Sequence, residues 1–360
     1  MRILPVTAGP LFDDDGPRGA RIIRRFRGIT LELLAFVVVT VLLPVLLVVA
    51  AFVDLVLWLR RRKPWVGVRL VAFLWWFLFG EFRALVALLG IWIVTAGPFG
   101  KGSLRRRRLL YALRLHWARS HMGGIKALFG LRFEIEDLDQ TTPGPIVMMM
   151  RHASIIDNVL PDYTVTAAHG IGLRFVLKRE LQIIPTIDIG GRWVPTVYVR
   201  RASTDPEGEI AVLATLADDL GPGEGILIYP EGTRATAKKI ARAQEVIAER
   251  QPEISAMANR LHNLLPPRLG GPLALLERTK DIDVVFCGHV GFDGFQYISD
   301  IWAGGLVGRT IRVRFWRCAA DSIPADEAAR TRWLYEWWQR VDDWIGEHRR
   351  GDAAERRALD

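Results

Sequence analysis

The chain has 360 residues, half of them hydrophobic, and a formal net charge of +9. This length allows one large domain or two of medium size. The positive charge favours an anionic partner such as membrane headgroups, a phosphorylated substrate or nucleic acid, although no nucleic-acid recognition motif is visible. Two cysteines are too few for a disulfide framework, and no Cys-x-x-Cys or His-x-x-x-His spacing predicts a metal site.

Two apolar segments dominate the first hundred residues. A basic segment, 18–27, precedes residues 33–53, which carry no charged side chain and are long enough to cross the hydrocarbon layer as a helix. A second apolar segment, 65–96, contains three charged residues, which are costly at bilayer depth, and its tryptophans suit an interfacial position. We therefore predict membrane attachment through residues 29–100, either as spanning helices or as a hairpin within one leaflet.

The next segment, 103–129, predicts a basic amphipathic helix that ends at Gly130. Leu109, Leu113 and Trp117 share one face of this helix. The basic residues placed elsewhere are Arg106, Arg107 and Arg114. This pattern fits an ordinary surface helix and equally a helix that lies on anionic headgroups.

From residue 131 onward, short apolar runs alternate with helical stretches. The predicted strands are 131–135, 146–150, 173–177, 194–199, 225–229, 282–286 and 310–316, and the clearest helices are 206–220 and 236–250. This alternation predicts an α/β fold with a largely parallel or mixed sheet covered by helices. The predicted domains are a basic segment (1–28), membrane-anchoring helices (29–100), an α/β domain (101–350) and a flexible tail (351–360).

The run 146–150 ends at Arg151 and His152, and Asp157 follows five residues after the histidine. A carboxylate can hold one nitrogen of an imidazole as N–H, so that the other nitrogen is able to accept a proton from a hydroxyl. Ser154 is placed to cap the helix that starts here. The spacing alone is weak, because a lone histidine near a carboxylate is commonly structural.

Polar residues also follow two other predicted strands. Arg200 and Arg201 follow 194–199, and the sequence Pro-Glu-Gly-Thr-Arg (230–234) follows 225–229. In parallel sheets, ligands bind beyond the carboxyl ends of the strands. Guanidinium groups bind phosphate, and a glycine lets the backbone approach a ligand. Together with the histidine, these residues predict one pocket with a base and an anion site.

Four ordered blocks resemble those of the glycerolipid acyltransferases, which include the 1-acylglycerol-3-phosphate and lysophospholipid acyltransferases. The blocks are His-Ala-Ser-Ile-Ile-Asp (152–157), Lys-Arg-Glu-Leu-Gln-Ile-Ile-Pro (178–185), Val-Tyr-Val-Arg-Arg (197–201) and Tyr-Pro-Glu-Gly-Thr-Arg (229–234). Further similarity at 264–268 and 323–338 indicates the branch that contains the lysocardiolipin and related lysophosphatidate acyltransferases. Such a set of ordered motifs is specific.

This resemblance implies acyl transfer from acyl-CoA or acyl carrier protein to the free hydroxyl of a lysophospholipid, with 1-acyl-sn-glycerol-3-phosphate as the expected acceptor. It makes His152 the general base and Asp157 its orienter. It implies no cofactor and no metal, membrane phospholipids as partners, and an active site that faces the cytoplasm. The residues that it assigns to substrate binding are Lys178, Arg201, Glu231, Gly232, Thr233 and Arg234.

The chain departs from the family pattern at three places. Arg151 stands where an Asn commonly precedes the histidine, Arg200 replaces a frequent Asp, and the strand 284–288 lacks the proline of the usual fourth block. Two other functions remain open. A lipid-binding scaffold protein would share the anchor and the charge, and a hydrolase could use Cys287 with His289, although no orienter is evident for that pair.

Overall fold

The computed structural model describes residues 6–7, 9–12, 16–200, 205–295 and 298–359. Its α-helices are α1 (Arg18–Arg61), α2 (Gly67–Val94), α3 (Leu104–Phe129), α4 (Ala167–His169), α5 (Pro185–Gly190), α6 (Pro206–Ala214), α7 (Ala237–Arg250), α8 (Pro252–Ala258), α9 (Gly270–Arg278), α10 (Ile298–Trp302) and α11 (Glu327–Leu359). Its strands are β1 (Arg132–Glu136), β2 (Ile146–Met150), β3 (Gly172–Lys178), β4 (Thr196–Val199), β5 (Glu224–Ile228), β6 (Asp283–Val290) and β7 (Thr310–Cys318).

The seven strands form one mixed sheet in the order β1-β7-β6-β2-β5-β3-β4. All neighbouring strands are parallel except β6 and β7, which are antiparallel. The predicted α/β fold is confirmed, and each predicted strand overlaps an observed one. Strand β2 lies at the centre, between β5 and β6. Its carboxyl end therefore meets the loops that follow both of these neighbours.

Helices cover both faces of the sheet. Strand β2 is fully buried, and its successive side chains point to opposite faces. Met148 and Met150 belong to a core that includes residues of α3, whereas Val147 and Met149 belong to a second core that includes residues of α9 and α11. Because both faces are covered, the sheet offers access to ligands only beyond the ends of its strands.

Helices α1 and α2 form an antiparallel hairpin, and both are long and apolar enough to cross a membrane. The buried carboxylate of Asp54 near the end of α1 accepts hydrogen bonds from the N–H groups of Gly67 and Val68, each at 2.9 Å. This contact caps the first turn of α2 and fixes the turn of the hairpin. Helix α1 continues through Pro44 as one element.

The charged residues of α2 face α3. Arg83 donates to Ser120 Oγ at 2.7 Å, and the buried Glu81 accepts from Trp117 Nε1 at 2.5 Å. Arg69 donates to a backbone carbonyl near the end of α3. These protein partners offset part of the cost that the sequence predicts for charges at bilayer depth, and they attach α2 to α3.

Helix α3 differs from its predicted orientation. It begins after Ser103, whose hydroxyl accepts from the N–H of Arg106 at 3.2 Å, and it ends at Gly130 as predicted. Arg106 and Arg107, however, are buried. The guanidinium of Arg106 donates to Thr95 Oγ1 at 2.8 Å and to carbonyls of the loop after α2. These two arginines are therefore unavailable to headgroups, and for them the prediction of a basic exposed face is wrong.

The terminal helices cross two of the predicted domain boundaries. Helix α1 already begins at Arg18, and its Arg24 and Arg25 contact Asp188 of α5 at 3.0 and 2.9 Å. Helix α11 continues to Leu359, into the segment assigned to a tail. Partly buried ion pairs thus connect the first turns of α1 to the α/β domain.

Candidate active site

The loops that follow β2 and β5 hold each other at the carboxyl edge of the sheet. Glu231 lies just after β5, and its Oε1 accepts from the backbone N–H of His152 at 2.7 Å. Its Oε2 accepts from the N–H of Leu265 at 3.3 Å. Ala235 donates its N–H to the carbonyl of His152 at 3.0 Å. The backbone of His152 is therefore held on both sides by the loop that follows β5.

His152 and Asp157 form the pair that their spacing predicts. Nδ1 of His152 lies 3.1 Å from Oδ2 of Asp157, and the same oxygen accepts from the N–H groups of Ala153 and Ser154 at 2.6 and 2.7 Å. Ser154 caps the short 3₁₀ helix that follows, as predicted. Because Oδ2 is anchored to the backbone, it holds Nδ1 as the protonated nitrogen and leaves Nε2 as the nitrogen that this pair does not engage.

The surroundings of Asp157 keep it ionised. Burial acts to raise the pKa of this carboxyl, but His289, His152 and the N–H of Ser154 outweigh it and lower the pKa below its ordinary value. Tyr229 supports the same group from the side of β5, since its hydroxyl donates to the carbonyl of Asp157 at 2.9 Å. The ring of Tyr229 also packs against His152, with a centroid distance of 4.6 Å.

A second histidine, which the sequence pattern does not assign to the site, contacts Asp157 from β6. Nε2 of His289 lies 3.3 Å from Oδ1 of Asp157 and 3.3 Å from the carbonyl oxygen of Arg151. The ring is fully buried. The pairing of β2 with β6 places Cys287 opposite Met150, so His289 comes beside the residues that follow β2.

Arg151, which departs from the family pattern, does not face a ligand. Its guanidinium is fully buried, donates to the carbonyl of His289 and forms an ion pair with Asp293. Asp293 also contacts Arg349 of α11 at 2.5 Å. Burial acts to raise the pKa of Asp293, but the two guanidinium groups outweigh it and hold the pKa well below its ordinary value. This cluster connects α11 to the backbone next to His152.

The structure gives Glu231 and Gly232 contacts within the protein. Both oxygens of Glu231 accept backbone hydrogen bonds, and burial raises the pKa of its carboxyl to about 8 although these donors and Arg151 lower it. Gly232 donates its N–H to the carbonyl of Tyr229 at 3.0 Å and has a φ of +62°. A glycine is needed there because that φ is strained for other residues.

Thr233 and Arg234 complete this turn beside further basic residues. Lys239 Nζ donates to Thr233 Oγ1 at 3.2 Å and to the carbonyl of Arg234 at 2.9 Å. A Cβ at Gly232 would lie 2.8 Å from the side chain of Arg268, a residue that we did not assign to the site. The available signal for Arg268 was its place in the stretch 264–268, which resembles the acyltransferases. The N–H of Arg268 donates to the carbonyl of Pro230 at 2.8 Å, which links this stretch to the turn.

The other predicted binding residues lie further along the same edge. Lys178 ends β3, and Arg200 follows β4, which is the third strand from β2. At about 4.8 Å per strand, the end of β4 lies roughly 14 Å from that of β2. Arg201 lies outside the described residues. A cleft of about 900 Å³ borders this region, and its basic lining residues are Arg24, Arg27, Arg179 and Arg200.

Cys287 and His289 do not form a nucleophilic pair. Cys287 is buried within β6, and burial raises the pKa of its thiol well above the ordinary value, with a smaller contribution from Asp157. The expectation that His289 lacks an orienting carboxylate is wrong, because Asp157 lies 3.3 Å from its Nε2. That nitrogen is hydrogen-bonded to the carbonyl of Arg151 and does not face the thiol, so the geometry does not support the hydrolase.

The chain is similar to known proteins in part of its sequence and in its fold. Residues 132–258 match the family model described as Acyltransferase. By this match, the part of the chain from β1 to α8 is similar to the acyltransferases. A solved structure with a similar fold is that of the 1-acyl-sn-glycerophosphate (LPA) acyltransferase, PlsC, from Thermotoga maritima. The TM-score is 0.50 at 14% sequence identity, over 78% of this chain and 98% of that one. A search of curated protein sequences found no match.

The matches to the family model and to this fold confirm the resemblance that the four blocks indicate. The matched residues contain the loops after β2, β3, β4 and β5. The family model ends before β6, so it does not include His289. The similarity to the solved structure is at low identity and shows the fold alone.

Proposed function

We propose that this acyltransferase moves an acyl group from an acyl thioester, carried by coenzyme A or acyl carrier protein, to the free glycerol hydroxyl of 1-acyl-sn-glycerol-3-phosphate. The product would be phosphatidic acid. The observation that carries the proposal is the 3.1 Å contact between His152 Nδ1 and Asp157 Oδ2, in a loop whose backbone is held by the block Glu-Gly-Thr-Arg. The match to the acyltransferase family supports the same chemistry.

In the proposed step, Nε2 of His152 accepts the proton of the glycerol hydroxyl while the hydroxyl oxygen attacks the thioester carbonyl carbon. A carbon–oxygen bond forms, the carbon–sulfur bond breaks, and the proton passes from the imidazolium to the leaving thiolate. Asp157 keeps the proton on Nδ1 and stabilises the imidazolium. The chemistry needs no covalent enzyme intermediate, because the hydroxyl attacks directly.

The acceptor's phosphate and glycerol are proposed to bind along the edge between β5 and β4. Arg234, Thr233, Lys178 and Arg201 would contact them, since guanidinium groups bind phosphate through two parallel hydrogen bonds. Glu231 would hold the backbone of the general base in place. Its hydrogen bonds from the N–H groups of His152 and Leu265 support this role. Gly232 would contribute by allowing the turn that carries Thr233 and Arg234.

We further propose that α1 and α2 attach the protein to one leaflet, with the active site on the cytoplasmic side. Helix α1 carries a run of exposed apolar side chains, such as Val41, Val45 and Val48. Helix α2 is bound to α3 through Glu81 and Arg83, so it cannot separate from the α/β domain to cross the bilayer alone. A mostly apolar groove of about 760 Å³ between the two helices offers space for an acyl chain.

Incubation of membranes that contain the protein with labelled acyl-CoA and a panel of lysophospholipids tests the activity. We expect labelled phosphatidic acid from 1-acyl-sn-glycerol-3-phosphate and no product from membranes that contain His152→Ala. Binding of lysophospholipid without turnover would favour the scaffold function, and release of labelled fatty acid would favour a hydrolase. Either outcome would contradict the proposal.

Replacement of Val41, Val45 and Val48 by Asp tests the attachment. These side chains are 71%, 60% and 70% exposed, so the change places charges in the proposed lipid-facing surface without disturbing a protein contact. We expect the variant to leave membranes in high salt and to keep its activity on detergent-dispersed substrate. A matched variant with Arg18, Arg21 and Arg27 changed to Gln should stay bound, because salt already screens those charges.

A further inference from the structure

Asp157 is held differently at its two oxygens. Three donors reach Oδ2, namely the N–H groups of Ala153 and Ser154 and Nδ1 of His152. At Oδ1, the contact within the described residues is Nε2 of His289 at 3.3 Å. Hydrogen bonds therefore fix the carboxylate at Oδ2, while Oδ1 has only the nearby His289 as a possible donor within the described residues.

The surroundings of His289 define which of its nitrogens carries the proton. Nε2 faces two acceptors, the carbonyl oxygen of Arg151 and Oδ1 of Asp157, and both lie at 3.3 Å. Neither can donate a proton, so Nε2 must be the N–H. Nδ1 is buried without a hydrogen-bond partner in the part of the chain that the structure describes. A second proton there would be unsatisfied, and burial accordingly lowers the pKa of His289.

The N–H of His289 donates to the Arg151 carbonyl, whereas Oδ1 of Asp157 lies 3.3 Å from the same nitrogen and accepts no hydrogen bond within the described residues. Hydrogen bonds of this kind in active sites without substrate are often long and tighten as charge develops. When His152 becomes an imidazolium, negative charge on Asp157 is needed at Oδ2. A neutral donor at Oδ1 would keep the carboxylate in the orientation in which Oδ2 faces Nδ1 of His152.

The position of His289 is itself determined by contacts around it. Arg151 donates from its guanidinium to the carbonyl of His289, and the guanidinium is paired with Asp293. The ring of Phe292 packs edge-on against His289 at a centroid distance of 5.8 Å. These contacts come from β2 and from the loop after β6, so the imidazole has little freedom to move away from Asp157.

We propose that His289 is a positioning residue for the acyl transfer, whose Nε2–H holds Oδ1 of Asp157 and so keeps Oδ2 on Nδ1–H of His152. The inference rests on the proposed function, since it assigns His289 a role in that reaction. His289 is fully buried and contacts no space where substrate could bind. Its loss should therefore lower kcat and leave the KM of both substrates nearly unchanged.

His289→Leu and His289→Gln provide the test. Leucine is apolar and removes the donor, whereas the amide of glutamine keeps an N–H that can reach Asp157. Because a hydrogen bond to a charged group is involved, we expect about a 10-fold lower kcat for the leucine variant and recovery of most of it in the glutamine variant. His169→Leu is the matched control, because His169 bonds to the Leu138 carbonyl at the opposite edge of the sheet.

Three results would overturn the inference. The first is an unchanged kcat in His289→Leu. The second is an equal loss in the leucine and glutamine variants, since that would mean damage to packing. The third is a further loss of kcat when His289→Leu is added to Asp157→Asn, because a residue that acts only through Asp157 has no effect once that carboxylate is gone.

Nitrogen NMR of the protein labelled at histidine separates this inference from the proposed function. The Nε2–H form of His289 is expected in the wild-type protein whether or not any lysophospholipid is acylated. Detection of the Nδ1–H form or of an imidazolium at neutral pH would overturn the inference. Failure of the wild-type protein to transfer acyl groups to any acceptor would overturn the proposed function, while the NMR result would still decide the hydrogen bonding of His289.

Discussion

Two buried polar clusters lie at opposite edges of the same sheet. At the carboxyl edge, Asp157 binds His152 and His289. At the amino edge, Arg174 near the start of β3 forms an ion pair of 2.8 Å with Glu224, the first residue of β5, and both side chains are fully buried. Each cluster therefore places charge inside the protein, where it is costly unless it is paired.

The clusters differ in whether a polar group remains that could contact a ligand. The guanidinium of Arg174 donates to three backbone carbonyls, to Thr7 and to Glu224, so its charge is compensated by fixed protein groups. In the other cluster, Asp157 engages one nitrogen of His152, and the side chain of His152 is still 10% exposed. The fully paired charge of Arg174 fits a structural role, whereas the fixed imidazole of His152, with Nε2 not engaged by Asp157, fits the proton transfer that we propose.

The largest expected effect is on activity, and it comes from a substitution that removes His152 from the carboxyl-edge cluster. We expect His152→Ala to lower kcat by about 10²–10⁴-fold, because the general base is removed, while the protein stays folded and bound to membranes. Initial rates of phosphatidic acid formation together with thermal unfolding of the purified protein measure both properties. Near-normal turnover in this variant would remove His152 from the mechanism.

The amino-edge cluster should respond in the opposite way. Arg174→Leu leaves Glu224 buried without its partner, so we expect the free energy of unfolding to fall by about 3–5 kcal/mol. The activity of each folded molecule should stay the same, since the cluster lies at the edge away from His152. Denaturant unfolding and active-fraction measurements check this. The double variant Arg174→Leu, Glu224→Leu should recover part of the stability, because no unpaired charge remains.

The strands and the two clusters were predictable to different degrees. Runs such as 146–150 are recognisable because an unbroken apolar stretch of that length suits a buried strand. The orientation of α3 was not predictable in this way. Arg106 donates to the hydroxyl and carbonyl of Thr95, and Arg107 donates to the carbonyl of Gly9. These partners come from other segments, so the periodicity of one helix cannot predict them.

Within the site, contacts between residues close in sequence could be predicted, whereas contacts between residues far apart in sequence could not. His152 and Asp157 lie five residues apart, so their pairing could be predicted from spacing. His289 reaches Asp157 only through the pairing of β2 with β6, which local spacing does not reveal. The role of Glu231 was also not predictable, since the motif indicates an important carboxylate but not that its two oxygens bind backbone N–H groups.

Arg234→Lys tests whether the basic residues near the carboxyl edge bind the acceptor. Lysine keeps the charge but cannot form the forked pair of hydrogen bonds to a phosphate. We expect the KM for the lysophospholipid to rise by about 10- to 30-fold and the KM for the acyl thioester to change little. Arg242→Lys, on the exposed face of α7, is the control. A rise only in the thioester KM would assign Arg234 to the donor instead.

The last expected effect is on stability rather than on activity, and it concerns Glu231 and pH. Burial raises the pKa of this carboxyl from its ordinary value of 4.5 to about 8 in the folded protein. Between these values the folded state binds more protons than the unfolded state, so its stability falls as pH rises, by at most about 1.4 kcal/mol per pH unit. Glu231→Gln cannot titrate and should lose this dependence.

The comparison of the two proteins by thermal unfolding from pH 5 to pH 8 isolates the effect of Glu231. The lowered pKa of His289 also makes stability depend on pH, but that contribution is common to both proteins and cancels in the difference. We expect the stability of the glutamine variant, relative to that of the wild-type protein, to increase as pH rises. Parallel curves would mean that the two backbone N–H groups keep Glu231 ionised throughout, so that it holds the loop of His152 as a carboxylate at every pH in the range.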